Sequence, residues 1–138
     1  MDEINTLFEQ RSEAIRAKDL ERLLAFYSPD VVYFDVVPPL QYVGSAALRG
    51  RFTHWFEGFA GPIGQELSEL TVTADGDVAV ASMLIRAGGT LVNGPRISQW
   101  LRSTSVCRRW DHGWLITHEH VSLPVDLATG LAVRDLTP

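Results

Sequence analysis

The 138-residue chain reads as a single α+β domain, on three observations. Three helical stretches crowd the first half. From residue 66 onward the chain is strand joined by tight turns. The stretch WLITHEHVSLP, residues 114–124, alternates as a half-buried strand does, with Trp114, Ile116, His118, His120 and Ser122 on one face. A strand that only closes a core needs no imidazoles in series on its apolar side, so this one is expected to line a cavity. The core fold is placed in residues 1–124 and a C-terminal tail in 125–138.

The elements follow in order. Residues 2–18 form an amphipathic helix with Ile4, Leu7, Phe8, Ala14 and Ile15 in a stripe and Glu3, Gln10, Arg11 and Lys18 opposite. Asp19 caps a second helix, LERLLAFY, that stops at Ser28-Pro29. VVYFDVV, residues 31–37, is rich in β-branched and aromatic residues and predicts a strand ended by Pro38-Pro39. Gly44-Ser45 opens a third helix, with Ser45 as cap and Leu48, Phe52, Trp55 and Phe56 at helical spacing. The cluster GFAGPIG breaks it. ELTVTA, the turn Asp75-Gly76-Asp77 and VAVASMLIRA make a hairpin. RISQWLRSTSVCRRW is a long strand, and Asp111-His112-Gly113 turns it back antiparallel against WLITHEHVS. The sheet should curl around the helices, leaving a pocket between. The tail is expected to wrap an edge or a partner.

Composition narrows the function. A net charge of -5 argues against nucleic acid, whose phosphates want a basic surface. The single cysteine, Cys107, cannot form an internal disulfide, which suits a reducing compartment, and it reads as core. No signal-peptide layout and no membrane-length apolar run is present, so a cytoplasmic protein without membrane partners is expected.

Several residues stand out chemically. Asp35 lies in an apolar run, where a desolvated carboxylate suits a general base near neutral pH, or where it caps a turn before Pro38. His118 and His120, about 7 Å apart along the strand, read as hydrogen-bonding or acid/base groups, then as structural histidines, then as metal ligands short of a third partner. Arg102 and Thr104 share a face of the preceding strand, and a buried Arg102 needs Asp35, a structural carboxylate or an anionic ligand. Trp55, Trp100, Tyr42 and Ser122 are candidates to line the pocket. No phosphate loop or serine-hydrolase elbow occurs.

The stretches FYSPDVVYFDVVPPLQYVG, RSTSVCRRWDHGWLITHEHVS and DLTP resemble the nuclear transport factor 2 superfamily in its SnoaL-like and ketosteroid isomerase-like branch. The resemblance implies a cone of about three N-terminal helices on a curved antiparallel or mixed sheet, a deep pocket and a homodimer formed across the sheet. It also places Asp35 at the general-base position of ketosteroid isomerases. Those enzymes add a tyrosine and a protonated aspartic acid as an oxyanion hole; the first helix here has no tyrosine and the last two strands no aspartate. His118, His120 and Arg102 would then hold the oxyanion. The expected activity is that of a cofactor-independent, metal-free isomerase, cyclase, hydratase or hydrolase acting on an apolar carbonyl-bearing molecule. The alternative is a non-catalytic ligand-binding or dimerisation domain.

Overall fold

The computed structural model describes residues 2–138. Helices α1 (Asp2–Arg16) and α2 (Leu20–Leu24) precede strands β1 (Tyr27–Phe34) and β2 (Tyr42–Val43). Then come helix α3 (Ser45–Glu57), the long strands β3 (Gly64–Asp75), β4 (Val78–Thr90), β5 (Arg96–Trp110) and β6 (Gly113–Ser122), and the short pair β7 (Val125–Asp126) and β8 (Leu131–Ala132). The main sheet runs β2-β1-β6-β5-β4-β3. It is mixed, because β1 is parallel to β6 while its other neighbours pair antiparallel.

Each element has a local cause. On α1 the stripe of Ile4, Leu7, Phe8, Ala14 and Ile15 is buried, and Arg11 and Ser12 are buried with it. The expectation that Arg11 lies opposite is corrected: it falls seven residues after Ile4 and four before Ile15, on the apolar stripe itself. Asp19 caps α2, its Oδ1 accepting from the Arg22 N–H at 3.1 Å. The helix stops at Leu24, short of the Tyr27 expected from sequence. Tyr27 instead starts β1 opposite Ile116, and the Ile116 N–H bonds the Phe26 carbonyl at 2.8 Å. Pro29 and the β-branched run behind it favour the extended form over another helical turn. Gly44, not Ser45, occupies the cap position of α3.

The inner sheet face carries Ala79, Ala81, Met83, Ile85 and Ala87 from β4 and Ser103, Ser105 and Cys107 from β5, all buried. Helix α1 lies against β3 and β6, and α3 against β1. Phe8, Leu23, Val31, Leu48, Ile63 and Ile116 are sealed between the layers, each contributing about 1.5–3 kcal/mol. At Gly88 strands β4 and β5 approach so closely that a Cβ would lie 2.0 Å from the Ile97 carbonyl oxygen, so only glycine fits. The tail folds back as the β7–β8 hairpin, and Arg134 donates to Gln99 of β5 at 3.0 Å.

Candidate functional site

The space between helices and sheet is a cavity of about 100 Å³. Its apolar wall includes Ile15, Leu23, Phe52, Trp55, Ile85 and Leu101. Its polar groups are Arg11, Tyr27, Tyr33, Asp35, Arg51, Gln65 and Glu119. Of the residues singled out from sequence, Asp35 and Trp55 line this cavity.

The remaining candidates lie elsewhere, and for those on β6 a β-bulge is the reason. Cys107 pairs with Ile116 and Val106 with His118, leaving Thr117 as an extra residue in β6. Alternation therefore shifts by one at Thr117. Ile116 faces inward, and then Glu119 and Val121 do, both buried. The expected common face of Trp114, Ile116, His118, His120 and Ser122 is thus corrected: His118, His120 and Ser122 turn to the outer face. There His118 Nδ1 donates to the Val32 carbonyl at 2.8 Å. Phe34 packs edge-on against the His118 and His120 rings at 4.8 and 5.4 Å.

Arg102, Thr104 and Trp100 lie on the same outer face of β5. Arg102 Nε donates to Ser122 Oγ at 3.1 Å and does not reach Asp35. Thr104 pairs with His120, and Trp100 with Arg86. Tyr42, on the edge strand, donates its hydroxyl to the Pro38 carbonyl at 3.0 Å. Leu101 of β5 and Val121 of β6 face the helices and line the cavity. Among the described residues no three His, Cys, Asp or Glu side chains cluster as a metal ion requires.

Asp35 sits just past the end of β1. Its Oδ2 accepts from Arg51 Nε on α3 at 2.8 Å, and its Oδ1 accepts from the Val36 N–H at 2.7 Å. A carboxylate has about four acceptor positions, so two have no partner among the described residues. Tyr33, two residues earlier, lines the same cavity, and among the described residues its hydroxyl has no hydrogen-bond partner. Burial, and then the charges of Glu119, Tyr27 and Asp35, hold the Tyr33 phenol well above its ordinary pKa. It is therefore a protonated donor at neutral pH.

The inner polar cluster was not anticipated from sequence. Arg11 Nη1 donates to Glu119 Oε1. Tyr27 Oη and Ser105 Oγ donate to the same oxygen at 3.1 and 3.2 Å. Burial works against the charge on Arg11, but the Glu119 carboxylate with Tyr27 and Tyr33 outweighs it and raises its pKa. The signal for Arg11 was its place on the apolar stripe. For Glu119 there was none, since nothing in the residues 114–122 announces a bulge.

The SnoaL-like domain family matches residues 4–126. A nuclear transport factor 2-like (NTF2-like) protein of unknown function from Pseudomonas putida is 35% identical, superposes with a TM-score of 0.91 and aligns over 99% of this chain and 95% of its own. A ketosteroid isomerase-like protein from Erwinia carotovora atroseptica is 20% identical, with a TM-score of 0.75 over 88% of this chain and 93% of its own. An NTF2-like protein with a cystatin-like fold from Novosphingobium aromaticivorans is 24% identical, with a TM-score of 0.73 over 94% and 84%. The last two share the fold alone at this identity. No curated protein matches the chain. No helix among the described residues is long and apolar enough to cross a membrane.

Proposed function

The chain belongs to the SnoaL-like family of NTF2-like folds, and from that premise we propose that it is a small-molecule enzyme working in the cavity of the cone. Asp35 takes a proton α to a carbonyl, or from water. The Tyr33 hydroxyl, rather than His118, His120 or Arg102, donates to the oxygen on which negative charge develops. The observation that carries this reading is the pairing, in one cavity and two residues apart on one chain segment, of a carboxylate with open acceptor positions and a buried phenol with no partner. The substrate is a mostly apolar molecule bearing a carbonyl, and no cofactor is called for. Dimerisation through the outer sheet face belongs to the same reading.

Small ketones in deuterated water test it. The protein should speed exchange of their α-protons, and Asp35→Asn and Tyr33→Phe should each slow that exchange. Exchange that is absent in the wild type, or unchanged in Asp35→Asn, would sink the reading.

A second reading is favoured by the Arg51 contact. A carboxylate already held by a guanidinium and a backbone N–H suits a pocket wall as well as a base. On that reading the cavity binds a ligand without turning it over.

A further inference from the structure

The inner charges of the cavity are matched one to one. Arg11 is spent on Glu119 and Arg51 on Asp35. All four side chains line the same cavity. A ligand carboxylate would meet two carboxylates there, and both guanidiniums are already ion-paired. A ligand ammonium would meet two guanidiniums, and both carboxylates are already ion-paired. An uncompensated charge is not tolerated out of water.

Individual polar atoms around the cavity are in the opposite condition. Gln65 lines the cavity from β3, and its buried Oε1 has no hydrogen-bond partner among the described residues. Arg11 Nε is likewise buried and unpartnered. Tyr33 offers a third open group. Buried polar atoms are nearly always paired, so two buried open atoms, Gln65 Oε1 and Arg11 Nε, beside the open Tyr33 hydroxyl ask for a partner that both donates and accepts.

We infer that the cavity selects an uncharged ligand: a branched or cyclic apolar body whose one polar end is an amide, or a carbonyl or hydroxyl pair, seated toward Gln65 and Tyr33. This rests on the reading of the cavity as a small-molecule site. It also narrows it, because it excludes the organic acids and amines that an arginine-lined pocket would otherwise suggest. Gln65 is then a specificity-determining residue: its carboxamide supplies hydrogen bonds to a neutral head and no charge to an ionic one. The body rests on Phe52, Trp55 and Leu101.

Three probes of one shape test the assignment: isobutyramide, isobutyrate and isobutylammonium at millimolar concentration and neutral pH. Binding is followed on the side-chain amide and guanidinium resonances of Gln65 and Arg11 and by calorimetry. Isobutyramide should shift both sets of resonances and bind about tenfold or more tighter than either ion. Gln65→Leu, which keeps the volume, should reduce isobutyramide binding about tenfold and leave the weak binding of the ions unchanged. Isobutyrate or isobutylammonium binding as tightly as the amide would overturn the selectivity and leave the pocket reading intact. Failure of all three to shift any cavity resonance would overturn both. Isobutyramide binding that is indifferent to Gln65→Leu would remove Gln65 from the role.

Discussion

Arg11 of the first helix and Glu119 of the sixth strand form an ion pair across the interior, with side-chain exposures of 2% and 4%. Glu119 also accepts from Tyr27 and Ser105. Removing one member leaves the other charged in a dry environment. Arg11→Met and Glu119→Gln should therefore each cost about 3–5 kcal/mol. The double change Arg11→Met with Glu119→Gln should cost less than the two single losses combined, because it strands no charge. Urea unfolding of the four proteins measures this. Additive losses would show that the pair is not a coupled unit.

Alkaline pH should destabilise the protein. Burial, and then Glu119, push the Cys107 thiol from 9.0 up to about 12. Burial and the same carboxylate hold Tyr27 and Tyr33 well above 10.0. In each case the folded pKa lies above the unfolded one. In the window between the two, the native state keeps protons that the unfolded state releases. Stability is then full below about pH 9 and falls as pH climbs through the folded values. Melting temperatures from neutral pH to pH 11 should decline, and the decline should be shallower in Cys107→Ala and in Tyr33→Phe. A flat profile to pH 11 would contradict the buried placement of these groups.

The outer face of the sheet should pair with a second copy. Phe34, Val80, Leu84, Trp100 and Val106 stand there among polar residues, with Val80 41% exposed. An apolar patch of this kind asks for a cover. Light scattering at micromolar concentration should give a dimer, and Val80→Asp should give a monomer with an unchanged circular dichroism spectrum. A wild-type monomer would refute the pairing.

The fold was legible because its signals are periodic. The stripe of Ile4, Leu7, Phe8 and Ile15 gave α1, and the turns Asp75-Gly76-Asp77 before β4 and Asp111-His112-Gly113 before β6 gave the hairpins. The site was legible only at Asp35 and Trp55. Thr117 explains most of the difference. One extra residue in a strand exchanges the faces of everything after it, so an alternation counted from Trp114 placed the histidines inside and Glu119 outside. Arg11 was hidden by its chemistry, since a charged residue on an apolar stripe is the rare case and is settled by a partner 108 residues away. Arg51 was hidden similarly: its contact with Asp35 depends on how α3 packs on β1, which no local pattern encodes.

The last prediction separates the two readings of Asp35. Its side chain and that of Arg51 are 9% and 16% exposed, so the pair is neither sealed like Arg11–Glu119 nor free in solvent. Asn at position 35 keeps the shape and the capacity to accept from the Val36 N–H, and removes the charge. Arg51 lies at the cavity wall, where water can reach it. We therefore expect Asp35→Asn to cost about 1.5–3 kcal/mol, the worth of a hydrogen bond to a charged group, below the cost expected for Glu119→Gln. Turnover in the ketone exchange assay should fall about 10²-fold or more in the same variant, the usual scale for a lost general base. A fall in stability of about 3–5 kcal/mol, as for a fully buried pair, would assign Asp35 to the scaffold and end the catalytic reading. Arg51→Met supplies the control. If Asp35 is the base, losing Arg51 leaves the carboxylate in the cavity and preserves exchange; if the pair is structural, both single variants lose stability alike and neither changes a rate.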